Sequence, residues 1–139
     1  MMTQDVSHKQ VMVKVNAECD EGIAPLVLAL NEINGVTTLD SCQQGVSGEA
    51  YVFLDYGNTW QDLCLLLQAM SSELAEHHLG YGFILRIEWW GSNEQPRAQI
   101  AILPEHVAAL AASIRALACQ INARMCRLAV DRSDTEPRN

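Results

Sequence analysis

The C-terminal stretch that begins at Pro104 constrains the fold most, because it contains no glycine and no further proline before Pro137. Pro104 and Glu105 are typical of a helix start, and the polar residues from Ser133 onwards are expected to end the helix. At about 1.5 Å per residue this helix extends for roughly 40 Å, which is more than a small sheet needs. The stretch therefore predicts a helix with packing partners beyond its own sheet.

Apolar residues lie on two opposite sides of this predicted helix. The large ones share one side: Val107, Leu110, Ile114, Leu117, Ile121, Met125 and Leu128. Small ones share the other, named here the small-residue face: Ala108, Ala112, Ala116, Cys119, Ala123 and Cys126. The simplest assignment packs the large side on the domain's own sheet and the small-residue face on a second copy, which predicts a C2 homodimer. Alternatively, the alanines are simply good helix formers that face water.

The rest of the chain alternates strand and helix patterns. Asp20 is placed to cap a helix that Gly35 ends, and Thr59 with Asp62 has the spacing of a capping box. In chain order the predicted elements are a strand at 11–15, a helix from 20 to 35, a strand at 36–39, a loop at 41–49, a strand at 51–56, a helix between 59 and 80, a strand at 83–90 and a shorter strand at 99–103.

This order predicts an α+β fold. Its first six elements follow the split βαβ arrangement of ferredoxin-like folds, β-α-β-β-α-β, with two helices on one face of an antiparallel sheet. A hairpin strand and the long C-terminal helix are additions to it. With 49% apolar residues, the chain has enough apolar surface for one core. We expect a single domain over residues 1–132 and a frayed polar tail over 133–139.

Charge argues against a nucleic-acid partner. The net charge is -8, and residues 1–110 hold 4 basic against 14 acidic side chains, whereas phosphate binding depends on clustered Lys and Arg. Residues 111–139 are more basic, with Arg115, Arg124, Arg127 and Arg132. We expect these arginines to pair with the acidic body or with the other subunit.

No stretch approaches the roughly 20 apolar residues that span a bilayer, and the N-terminus lacks the pattern of a secretion signal. We therefore expect a cytoplasmic protein with no membrane partner. Its five cysteines are odd in number and form no CxxC pair, so free thiols are expected. Glu73 and His77 are spaced for one helical face, but two ligands do not make a metal site, and no metal is predicted.

Two segments of the chain predict a small-ligand site. In a split βαβ fold the first two strands run in the same direction, so the residues that follow them lie at one edge of the sheet. These residues are Cys19, Asp20, Ser41, Cys42, Gln43 and Gly45. They would combine two thiols, a carboxylate, a glycine-permitted loop and a helix start. Structural roles for Cys19 and Cys42 remain the alternative, and no complete catalytic constellation identifies an enzyme.

The same segment resembles a known family. Residues 20–42, which include Pro25-Leu26-Val27 and Thr37-Thr38-Leu39-Asp40-Ser41-Cys42, look like the N-terminal part of the wybutosine-synthesis tRNA methyltransferases. The resemblance matches Ser41 and Cys42 to the Ser-Cys pair of that family's Ser-Ser-Cys-Ser-Gly-Arg motif, and Gly45 to its glycine after one extra residue. It implies a small α/β protein that uses S-adenosylmethionine to modify tRNA. The residues alone predict a binding or interaction domain with no cofactor.

Overall fold

The computed structural model describes residues 10–13, 17–57, 59–77, 79–90 and 95–135. The strands are β1 (Gln10–Val13), β2 (Ala17–Asp20), β3 (Val36–Cys42), β4 (Ala50–Tyr56), β5 (Ile84–Trp90) and β6 (Gln95–Ile102). The α-helices are α1 (Ala24–Leu30), α2 (Trp60–Ala75) and α3 (Val107–Thr135). Single 3-10 turns at Glu21–Ile23 and Pro104–His106 precede α1 and α3. The α+β prediction is confirmed.

Local signals in the sequence fix several boundaries. The predicted capping box is confirmed at α2, where the Asp62 N–H donates to Thr59 Oγ1 and the Thr59 N–H donates to Asp62 Oδ2, both at 3.2 Å. Gly35 has φ of +84°, a left-handed conformation that a glycine adopts without the strain of a side chain. The short connection after α1 therefore turns the chain directly into β3.

The main sheet has four antiparallel strands in the order β3-β4-β6-β5. Alternate residues of the two central strands point to the helices and are fully buried: Ala50, Val52, Leu54, Ala98, Ile100 and Ile102. Because side chains alternate along a strand, this arrangement leaves the other sheet face outside the main core. The core thus lies between one sheet face and the three helices.

The strand order differs from the predicted ferredoxin-like order. β1 pairs with β2 in a separate two-stranded hairpin, and β6 occupies the central place, between β4 and β5, that we expected the first strand to take. Residues 95–102 form the longest strand of the sheet, whereas the sequence predicts only a shorter strand at 99–103. Val15 of the predicted first strand lies outside the described residues.

α3 packs chiefly against α1 and α2. The prediction that its large apolar side packs directly on the sheet is therefore wrong. Its large apolar side is buried, with Ile114 and Ile121 fully inaccessible, and its opposite side is exposed. The helix continues to Thr135, and residues 136–139 of the predicted tail lie outside the described residues. Among the helices of the described residues, none is long and apolar enough to cross a membrane.

Candidate functional site

Gln43 joins the two segments that the sequence predicted at one edge of the sheet. The Gln43 backbone N–H donates to Asp20 Oδ2 at 3.2 Å, and Gln43 Oε1 accepts from the Gly22 N–H at 2.8 Å. A β-carbon at residue 22 would lie 2.5 Å from Gln43 Oε1, so a larger residue there would displace the Gln43 amide from this hydrogen bond. Asp20 occupies the N-cap position of the 3-10 turn at Glu21–Ile23, but its side chain makes no cap hydrogen bond, so the predicted side-chain cap is wrong. The residue is only 4% exposed.

Cys42 and Tyr51 face each other on the sheet side that points away from the helices. They are direct partners in the β3–β4 register, and Cys42 Sγ also donates to the Gln44 carbonyl at 3.2 Å. The pKa of Tyr51 is raised, first by burial, then by the charges of Asp40, Cys42 and Asp20, and by a hydrogen bond with Cys42. Tyr51 is therefore a neutral hydrogen-bonding group beside a thiol and two carboxylates.

Cys19 is a poor candidate for a nucleophile. Its side chain is buried, and burial, followed by the charge of Asp20, raises the pKa of its thiol. The reactive form of cysteine is the thiolate, which a raised pKa disfavours. Cys19 instead belongs to the hydrophobic core.

Ser41 and Cys42 lie on opposite sides of the sheet. Ser41 pairs with Val52, which is buried on the helix side, whereas Cys42 pairs with Tyr51 on the other side. Both residues belong to β3, whereas the sequence pattern predicts them in the following loop. A ligand held by the Cys42 thiol is therefore separated from the Ser41 hydroxyl by the strand itself.

Gly45 shapes the loop that follows. The Gly45 N–H donates to the Glu49 carbonyl at 2.7 Å, and the Gly48 N–H donates to the Gly45 carbonyl at 3.0 Å. A β-carbon at residue 45 would lie 3.1 Å from the Tyr51 ring. Gly45 thus lets the loop lie closely against Tyr51.

The cavity at this edge is small. It measures about 240 Å³ and is lined by Gly22, Gln43, Gln44 and Pro104, which is below the usual range for ligand pockets. Within the described part of the chain, no group of three or more His, Cys, Asp or Glu side chains is placed to hold a metal ion. The edge offers hydrogen-bond acceptors, a phenol and a thiol, which suit binding of a small polar molecule.

Tyr51 and Pro104 also lie at this edge and were not among the residues predicted from the sequence. The strand register that places Tyr51 opposite Cys42 depends on the length of the 43–49 loop. Loop length can be read from the sequence, so it could have been used to predict this pairing. Pro104 reaches the edge only because β6 is central, which the strand pattern did not predict. Six residues were predicted for the site; Asp20 and Gln43 are in direct contact there.

The predicted interface residues on α3 share one exposed surface. All six members of the small-residue face are exposed: Ala108, Ala112, Ala116, Cys119, Ala123 and Cys126. Of the twelve exposed residues between 107 and 130, nine are Ala, Cys or Val. The polar ones are Arg115, Gln120 and Arg127. This solvent-facing side is unusually poor in polar groups.

Comparisons of the chain with models of known protein families, with curated proteins and with solved structures find no match. The resemblance of residues 20–42 to the wybutosine-synthesis methyltransferases thus stays a prediction.

Proposed function

We propose that this chain is a homodimeric binding domain, with α3 as its interface and the β3 edge as a small-ligand site. The observation that carries the proposal is the exposed, nearly uncharged side of α3. Surface helices of monomers normally present polar residues to water. Small side chains on one helix allow the backbone of a second helix to approach closely, so a copy of the same face is a suitable partner.

Opposite charges that flank the small-residue face favour an antiparallel pair. Arg115 is paired with Glu32, and Arg124 with Glu73 and Glu76, within one subunit. Glu105 and Arg127 are both exposed, and each is eleven residues from Ala116. In an antiparallel pair centred on Ala116, Glu105 of one subunit lies level with Arg127 of the other. Opposite charges then meet at both ends of the helix–helix contact. Such pairs favour the antiparallel orientation of the two helices more than they add affinity.

Ala116→Glu is expected to convert the dimer into a monomer. Two like charges would face each other near the two-fold axis, where apolar contact excludes water. Light scattering on the wild type is expected to give twice the chain mass of 15.4 kDa, and the variant is expected to give the chain mass itself.

The matched control is Gln68→Glu, which adds the same charge at an exposed position of α2, outside the small-residue face. It is expected to leave the dimer intact, and both variants are expected to keep the wild-type circular dichroism spectrum. A wild type that scatters as a 15.4 kDa monomer contradicts the proposal.

The β3 edge is the proposed ligand site because Gln43 holds Asp20 and Gly22 beside a cavity. Cys42 and Tyr51, on the outer side of the same strand end, add a thiol and a phenol. Their hydrogen-bonding groups suit a small polar ligand. The alternative function is S-adenosylmethionine-dependent modification of tRNA, which rests on the sequence resemblance at Ser41 and Cys42.

Calorimetric titration with S-adenosylmethionine tests the alternative at this edge. The position of Cys42 beside Tyr51 predicts that Cys42→Ala weakens such binding about tenfold, the worth of one hydrogen-bonded contact in a partly buried site. Cys64→Ala serves as the matched control, because it removes an exposed thiol from α2. Absence of heat at millimolar ligand would sink the methyltransferase alternative, and equal losses in both variants would contradict the proposed geometry.

A further inference from the structure

β5 forms one edge of the main sheet. Within the described part of the chain its only strand partner is β6, and all seven of its residues pair in one continuous register. A regular edge strand presents backbone N–H and C=O groups that a further strand can bind. Charged side chains commonly protect such edges, so the charges on β5 determine which strand fits beside it.

Arg86 and Glu88 give this edge a charge pattern that is complementary to itself. Both lie on the sheet face away from the helices, where Arg86 Nε is 3.1 Å from Glu88 Oε2 and the side chains are 50% and 32% exposed. Consider a second β5 strand that runs antiparallel, with Ile87 opposite Ile87. Each Arg86 then lies directly opposite a Glu88 of the other copy, so opposite charges meet twice across a two-fold axis.

Neighbouring registers lack this match. A pair centred on Arg86 or on Glu88 places two like charges directly opposite each other, which is destabilising. A pair centred between two residues sets backbone groups that point to the free edge against groups that already bind β6. The charges and the backbone together favour the register centred on Ile87.

The same register covers an exposed tryptophan. Trp89 is 58% exposed, and both Trp89 and Leu85 lie on the helix side of β5 because they alternate with the charged pair. In the Ile87-centred pair, Trp89 lies opposite Leu85 of the other copy. Leu85 lines a depression of about 430 Å³ between α2 and β5 whose lining has no charged side chain. The indole is therefore placed beside an apolar surface that it can bury.

We infer that a second copy of this chain binds along the β5 edge and joins two four-stranded sheets into one continuous sheet. The contact is independent of the α3 interface and of the β3 edge. Where the α3 contact also forms, the two together assemble more than two chains. One pair of edge strands buries less area than a standard interface, so this contact is weak and forms only at high protein concentration.

The test uses the Ala116→Glu protein, which is designed to lack the α3 contact, at concentrations from about 10 µM to about 1 mM. Sedimentation is expected to show monomers at the low end and dimers at the high end. Arg86→Glu and Glu88→Arg are each added to this protein. Either change sets like charges opposite each other twice and is expected to raise the dissociation constant about tenfold.

The matched control combines Arg86→Glu and Glu88→Arg in one chain, which keeps the net charge and restores opposite charges across the edge. It is expected to dimerise as the Ala116→Glu protein does. An equimolar mixture of the two single reversals is expected to form a mixed dimer of the same affinity, because each strand then meets its opposite charges in the other. This recovery also shows that both variants fold.

Amide hydrogen exchange in β5 identifies any other occupant of the edge. Amides that point to the free edge are expected to exchange rapidly at the low concentration and slowly at the high one. The inference is overturned if the Ala116→Glu protein stays monomeric at about 1 mM, or if the single reversals dimerise as tightly as it does. Protection of every β5 amide in the monomer would mean that another part of the chain covers this edge, which overturns the inference as well.

Discussion

At the scale of single residues, the carboxylate of Asp20 affects two of its neighbours. It accepts the hydrogen bond of the Gln43 N–H, and its charge adds to burial in raising the pKa of Cys19. A side chain that was predicted to cap a helix therefore connects β2 to the end of β3. The result is a protonated thiol in the core directly beside a carboxylate in the site.

The raised pKa of Cys19 gives the free energy of unfolding a pH dependence. The unfolded thiol has its ordinary pKa of 9.0 and the folded one titrates higher, so between the two the folded state binds more protons. Stability is therefore fully present below pH 9 and falls as the pH rises through the folded pKa. Urea denaturation at pH 8 and pH 10 is expected to show a smaller loss for Cys19→Ala than for the wild type.

Cys64→Ala, which removes an exposed thiol, is the control and should lose as much stability as the wild type. Tyr51 and Tyr56 also have raised pKa values, but they are present in all three proteins. An equal loss in Cys19→Ala and the wild type would mean that burial does not hold this thiol protonated.

At the scale of elements, polar contacts connect both flanks of α3 to the shorter helices. On one flank Arg124 Nε donates to Glu73 Oε2 at 2.6 Å, and both side chains are largely buried. On the other flank Arg115 Nε lies 2.8 Å from Glu32 Oε2, and both are largely exposed. The Asn122 side chain adds hydrogen bonds to the backbone of Asn34 and Glu32. These contacts confirm that arginines of this helix pair with the acidic body.

The two ion pairs are expected to differ in their contribution to stability. Arg124→Ala leaves the Glu73 carboxylate buried without its partner and is expected to cost about 3 kcal/mol. Arg115→Ala breaks an exposed pair on the same helix and is expected to cost less than about 1 kcal/mol. Chemical denaturation of both variants at one protein concentration measures the difference, and similar costs would contradict the role given to burial.

At the scale of the whole molecule, the place of β6 decides how the other parts meet. Since β6 lies between β4 and β5, its end delivers Pro104 to the β3 edge and starts α3 against α1 and α2. β1 and β2 are then free to form their own hairpin, which brings Asp20 to Gln43. The candidate site and the orientation of the small-residue face both follow from this one strand.

The sequence by itself determined the features that depend on near neighbours: the α+β class, the capping box at Thr59, the turn at Gly35 and the two sides of α3. Helical periodicity, caps and glycine conformations act over a few residues, so a linear pattern contains them. Only the tertiary structure decided the strand order, the contact of Asp20 with Gln43 and the pairing of Cys42 with Tyr51. These depend on which distant strands pair and in which register, and several pairings bury the same alternating residues equally well.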